Sequence, residues 1–258
     1  MKKLPSFKIL RFLCVSLTLA SACTWLQAEE PASKGRVLLD WSEQIAGEPA
    51  KQPTPEIYFA ARHEAAPVIV DAQTRPPSPF PNEKALHLPL SENPDTTVAI
   101  FFNPFLYEAP PPKGWIEAEV MSQSGIISIG LGVDSTNMES VETMATGDDG
   151  KILCTVFMIA EGERPLIVTR PSEDGQDMDR IPLSSGITMG TPHVFRISWD
   201  WTSDQPGLEF QMDGEPLLIN NTDKTLPVDI KNLSKGIDKL TIFLNQGGNF
   251  LGKVTASE

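Results

Sequence analysis

The chain has 258 residues, with 21 Lys and Arg against 34 Asp and Glu, a formal charge of −13 at neutral pH. An acidic excess of that size repels phosphate backbones and anionic membrane surfaces, which argues against nucleic acid as a partner. A chain this long can bury one substantial core, and large sandwiches of such length are commonly one domain.

The N-terminus is basic at Lys2, Lys3, Lys8 and Arg11, then apolar and uncharged from Phe12 to Ala22, with Ala28 standing before acidic Glu29. Those three parts in that order read as a secretory signal peptide over residues 1–28, because the apolar run is too short to span a membrane as a helix. Ala20-Ser21-Ala22-Cys23 offers an alternative, a lipoprotein box with the lipid on Cys23, which would tether the protein to an outer membrane. Cleavage after Ala28 removes four basic residues and takes the formal charge from −13 to −17. It also leaves Cys154 as the sole cysteine, so no internal disulfide forms; in the apolar run ILCTVFMIA it reads as a small buried hydrophobe. No second apolar run of spanning length follows. The expected location is periplasmic or extracellular.

A linker, 29–35, leads into a single domain over 36–258. Arg36 to Trp41 reads as the first strand. The region up to Pro112 then holds 14 of the 23 prolines, from Pro49 onward, which rules out long helices and breaks up central strands. Short strands fit between the prolines at Ala66–Asp71, Lys84–Leu90 and Thr96–Asn103. From Gly114 the period of two is clear. Ile116, Ala118 and Val120 alternate with Trp115, Glu117 and Glu119. Ile127, Ile129, Leu131 and Val133 then alternate with Ser128, Gly130 and Gly132. Ile152–Ala160 and Arg164–Thr169 form the next pair, and Pro171 to Arg180 reads as an acidic loop. His193 to Ile219 is the central meander: Phe195, Ile197, Trp199 and Trp201 alternate with Val194, Arg196, Ser198 and Asp200, and Leu208, Phe210 and Met212 alternate with Glu209, Gln211 and Asp213. Asp213-Gly214 makes a tight turn there, since Gly tolerates positive φ. A polar stretch runs through Ser234, and Leu240–Asn245 and Phe250–Thr255 close the chain. Many short strands, regular turn signals and no amphipathic helix predict an all-β fold, an antiparallel two-sheet β-sandwich.

His193-Val194, Trp199-Asp200, a glycine in the connecting loop, Phe210, Met212 and Asp213-Gly214 resemble the central hairpin of the concanavalin A-like lectin/glucanase superfamily, in particular its laminin-G-like branch. One position departs: Pro192 stands where the family often has Trp. The resemblance implies a jelly roll whose concave face or rim loops take carbohydrate, often with Ca²⁺. It also admits enzymes and proteins that only adhere to others.

No residue pattern names a reaction. The Glu-x-Asp-x-x-Glu signature of retaining glucanases is absent. Glu117 and Glu119, two apart on one face beside Trp115, are the nearest approach to the two carboxylates that glycoside hydrolysis needs. His63, His87 and His193 have no ligand spacing for zinc. Asp134 with Asp148 and Asp149 is one candidate oxygen set for Ca²⁺, and Glu173, Asp174, Asp177 and Asp179 are another. Trp41, Trp115, Trp201, Tyr58 and Tyr107 are candidate sugar platforms, with Trp115, Trp201, Glu117 and Glu119 the leading ligand contacts. The expected function is an exported, non-catalytic recognition module that binds a polysaccharide or other glycan. A divergent glycoside hydrolase or lyase using Glu117 or Glu119 is the first alternative. A structural or adhesive surface protein without a small ligand is the second.

Overall fold

In a computed structural model of the chain, the described residues are 35–105, 110–133, 151–159, 166–171, 178–228 and 236–258. The expected signal peptide, Cys23 and the expected linker up to residue 34 lie outside them. In chain order the strands are β1 (Arg36–Leu39), β2 (Tyr58–Arg62), β3 (Val68–Val70), β4 (Ala85–Leu88), β5 (Thr97–Phe102), β6 (Lys113–Ser122), β7 (Ile126–Val133) and β8 (Lys151–Ile159). They continue as β9 (Ile167–Pro171), β10 (Met178–Pro182), β11 (His193–Asp200), β12 (Gly207–Met212), β13 (Glu215–Leu217), β14 (Thr225–Pro227), β15 (Ile237–Asn245) and β16 (Asn249–Ala256).

They form two antiparallel sheets. One runs β13-β12-β11-β6-β16-β4-β3, with β1 added on β16 and β14 on β12; the other runs β10-β9-β8-β7-β15-β5-β2. Neighbours in the sheets are often far apart in sequence, so the chain crosses repeatedly between layers, and the result is the two-sheet sandwich that the alternation predicts and the jelly roll that the resemblance implies. Among the described residues there is no helix, and none long and apolar enough to cross a membrane.

The core lies where the inward faces meet. Ile116, Ala118, Val120, Phe195, Ile197, Phe210 and Leu208 from the first sheet pack with Val98, Ile100, Ile127, Ile129, Leu131, Val156, Ile242 and Leu244 from the second, in one continuous cluster. Phe195 and Phe210 are 1% exposed and their rings stack at 6.5 Å. Fully burying a side chain of that size is worth about 1.5–3 kcal/mol. Trp199 packs edge-on against Phe105, and its Nε1–H donates to the Pro111 carbonyl at 2.9 Å, so its one polar atom is satisfied. Cys154 is buried in the same cluster, and burial pushes its thiol up to about 12. A thiol held protonated in this way is a poor nucleophile.

Three strands differ from the sequence expectation. Tyr58–Arg62 pairs with β5 inside the proline-rich region, in a gap between Pro55 and Pro67 just long enough for an edge strand. Met178–Pro182, within and just beyond the expected acidic loop, is instead paired with β9 in register, with Arg180 opposite Thr169. Leu226, in the expected polar stretch, carries β14 onto β12 and is 2% exposed. In each case the partner strand supplies what local polarity does not.

The His-Val and Asp-Gly pairs close the β11–β12–β13 meander together. Asp213 and Gly214 have φ of 54° and 83°, the two positive values that a two-residue hairpin turn between Met212 and Glu215 requires. The Asp213 carboxylate reaches beyond its own turn. Its Oδ1 accepts the Val194 N–H at 2.8 Å, and its Oδ2 lies 2.7 Å from His193 Nδ1. The Thr188 N–H donates to His193 Nε2 at 3.0 Å, so the ring proton sits on Nδ1 and is donated to Asp213. Removing Asp213 would orphan a donor on a side chain that is 8% exposed. Asp213→Ala is expected to cost about 1–3 kcal/mol in urea unfolding. Asp213→Asn, which keeps an acceptor, is expected to lose less.

Candidate functional site

The outward faces of the two sheets differ in chemistry. On the first sheet, Trp115, Glu117 and Glu119 of β6 share one face, and the register puts Arg196 opposite Glu117. Arg196 donates from Nε and Nη2 to Glu117 Oε2 at 2.8 and 2.6 Å, and its guanidinium lies 4.4 Å from the centre of the Trp115 ring. Trp115, Arg196 and Glu117 thus form a closed set in which the cation serves both neighbours.

Glu119 has a different task. Leu251 pairs with Val120 and Val254 with Ala118, so Gly252 and Lys253 together face Glu119 in a β-bulge. A bulge leaves backbone groups without ladder partners. The Glu119 carboxylate accepts the Lys253 N–H at 3.0 Å, and Trp41 Nε1–H donates to the Gly252 carbonyl at 3.1 Å. A side chain at 252 would collide with Glu119 and with Phe80, which explains the glycine. Lys253 Nζ pairs with Glu83 Oε1. Burial, and then the adjacent Glu83, hold the Glu119 carboxyl above the usual carboxylate range, against the pull of the Lys253 N–H and charge. The Lys253 ammonium is raised chiefly by its bond to Glu83.

Beyond the bulge this face is apolar: Val70, Phe80, Ala85, Met121 and Phe250 cluster there. His87 stacks on Phe250 at 4.2 Å, and its buried Nδ1 finds no hydrogen-bond partner among the described residues. Burial drives its pKa down to about 4.

The remaining sequence candidates are scattered. Trp41 is fully buried. Trp201 is half-buried against the core, with a buried Nε1 that has no acceptor among the described residues. Tyr58 lies on the second sheet, stacked on Phe101 at 5.2 Å. Tyr107, Asp134, Asp148, Asp149, Glu173, Asp174 and Asp177 lie outside the described residues, and Asp179 is on β10. Among the described residues no three of His, Cys, Asp and Glu gather to hold a metal ion.

On the second sheet a trough of about 380 Å³ lies along β7. Its floor is Ser128, Gly130 and Gly132, the outward set of the strand whose inward set is Ile127, Ile129, Leu131 and Val133. Its walls are Thr155 and Phe157 of β8, and Lys239, Thr241, Phe243 and Asn245 of β15, with Thr97 of β5 beyond. Register orders them in rows: Thr155–Gly130–Thr241, then Phe157–Ser128–Phe243. The trough exists because Gly130 has no side chain. A Cβ there would come within 2.5 Å of Thr241 Oγ1 and 3.0 Å of Thr155 Oγ1. Phe157 and Phe243 are both half-buried. The described lining contains hydroxyls, two rings, an amide and one ammonium, and no carboxylate. Sequence reading found Ser128, Gly130 and Gly132 facing outward. The signal that could have marked them as a floor is two glycines in the interior of a strand, which is where another molecule or backbone comes close.

Fold and trough together define the class: an antiparallel jelly-roll sandwich with a trough on its smaller sheet whose described lining holds no carboxylate. No family model and no curated protein matches the chain. Among solved structures it is similar to one reported for endo-acting O-glycanases of human gut microbiota that initiate mucin breakdown, at 11% identity and TM-score 0.47, covering 86% of this chain and 99% of that one. It is also similar to a β-1,3-glucanase from Mycobacterium marinum, at 13% identity and TM-score 0.45, covering 87% and 100%. A tetrameric galectin from the ball sponge Cinachyrella sp. overlaps at 13% identity and TM-score 0.42, covering 62% and 99%. At these identities no site residue is carried across.

Two predictions concern the first sheet. Glu119→Ala should orphan the bulge N–H and cost about 1–3 kcal/mol. Glu119→Gln keeps the acceptor and removes a charge beside Glu83, so its melting temperature at pH 7 should match or exceed that of the parent. His87 binds a proton less readily folded than unfolded. Its contribution is therefore complete above pH 6.5 and is lost as pH falls toward about 4. In urea titrations over that range His87→Phe, which keeps the stack on Phe250, should lose less stability than the parent, by up to about 3 kcal/mol.

Proposed function

We propose that the chain is an exported, non-catalytic recognition module that binds carbohydrate in the trough along β7. The observation that carries this reading is the trough's chemistry. Sugars present hydroxyls, which Ser128, Thr155 and Thr241 can meet, and apolar C–H faces, which suit the rings of Phe157 and Phe243. Glycoside hydrolysis calls for two carboxyl groups about 5–10 Å apart, and the described lining offers none. On the opposite sheet Glu117 is engaged by Arg196 and Glu119 by the bulge, which favours structural tasks for both. Export rests on the basic, apolar and small-residue order of residues 1–28, and the acidic balance suits a soluble exported protein.

The test is affinity electrophoresis through gels containing polysaccharides, with reducing ends assayed in parallel. The parent should be retarded by at least one neutral polysaccharide. Thr241→Val, which keeps shape and removes a hydroxyl, should weaken binding by about five- to ten-fold. Trp115→Ala and Glu117→Gln, on the other sheet, should bind as the parent does. Equal retardation of Thr241→Val would contradict the site. Reducing ends released by the parent but not by Glu119→Gln would replace this reading with a hydrolase.

A further inference from the structure

We infer that the trough takes an internal stretch of an unbranched, neutral polysaccharide lying parallel to β7, with one sugar ring held between Phe157 and Phe243. This rests on the carbohydrate reading and narrows the ligand class within it.

Three features carry the inference. The first is shape. The floor, Ser128 to Gly132, and the β15 wall beside it, Thr241 to Asn245, each follow one strand for about 14 Å at the usual rise per residue. A site for one terminal sugar needs no such length. Side chains rise on both long sides, Thr155 and Phe157 facing Thr241 and Phe243, so a branch at either edge would meet a wall.

The second is the clamp. Phe157 and Phe243 are paired with the same residue, Ser128, from opposite sides, so their backbones stand about two strand spacings, roughly 9.6 Å, apart. That gap leaves room for a flat ring between the two phenyl groups, with the Ser128 hydroxyl beneath it. Phe243 is braced from behind: Phe101 meets it edge-on at 5.5 Å, and Tyr58 stacks on Phe101 in turn. A ring fixed before the ligand arrives loses little freedom on binding.

The third is charge. Lys239, the one ionisable group in the described lining, is 2% exposed and has a partner of its own. The chain carries a formal charge of −13. A polyanionic glycan would be repelled at a distance and would find no exposed cation in the described lining.

Calorimetric titration with linear glucose oligomers of one to six units, in β-1,3, β-1,4 and α-1,4 linkage, tests this, with polygalacturonate as the polyanion. For at least one linkage, affinity should rise by about ten-fold or more from monomer to tetramer and then level off, and it should be insensitive to salt. Phe157→Ala should lose about ten-fold on the tetramer while melting as the parent does. Should that variant melt early, Ser128→Ala gives the same readout with the clamp intact, an expected loss of about three- to ten-fold. Glucose bound as tightly as its tetramer, or polygalacturonate preferred over every neutral oligomer, would overturn the inference and leave the carbohydrate reading standing. No binding of any neutral or acidic glycan would defeat the carbohydrate reading itself.

Discussion

Two sheets share a single dry layer, and each strand can give that layer only alternate side chains. This constraint decides the rest of the molecule. Once Ile127, Ile129, Leu131 and Val133 are committed inward, β7 has only Ser128, Gly130 and Gly132 left for its outer face. Once Ile116, Ala118 and Val120 are committed inward, β6 has Trp115, Glu117 and Glu119 left. What the protein can touch is what the core did not take.

The two leftover faces are finished in opposite ways. On the larger sheet the charged outward groups are engaged with one another or with the bulge. Arg196 spans Glu117 and Trp115, Glu119 fills the gap in hydrogen bonding that the Gly252–Lys253 bulge opens, and Phe80 and Phe250 close an apolar patch around His87. On the smaller sheet the glycines of β7 leave the hydroxyls of Thr155 and Thr241 and the rings of Phe157 and Phe243 around an empty floor. On the larger sheet Glu117, Glu119 and Arg196 are engaged with one another or with the bulge, so a ligand there must displace bonds already made. In the trough the Thr241 hydroxyl donates only a long bond, 3.4 Å, to the Gly130 carbonyl, and the rings of Phe157 and Phe243 are half-buried, so a ligand displaces less.

Much of this was legible in the sequence. The alternation in β6, β7, β11 and β12 followed from side-chain periodicity alone, and Asp213-Gly214 declared its turn. Glu117 and Glu119 were legible as neighbours on one face. Their tasks were not, because Arg196 lies 79 positions from Glu117 and the Lys253 N–H lies 134 from Glu119. A bulge has no local signature when both of its residues suit a strand. The trough was half legible: its floor was visible in one strand, but its walls come from β8 and β15, and their pairing is a property of the whole sheet.

Backbone amide shifts recorded while a neutral linear oligosaccharide is titrated in would test the assignment of faces most directly. The trough reading predicts that the largest changes fall on Gly130, Gly132, Thr155, Phe157, Thr241 and Phe243. Trp115, Glu117, Glu119, Arg196 and Lys253 should stay still. Shifts centred on the second group, with β7 undisturbed, would contradict it.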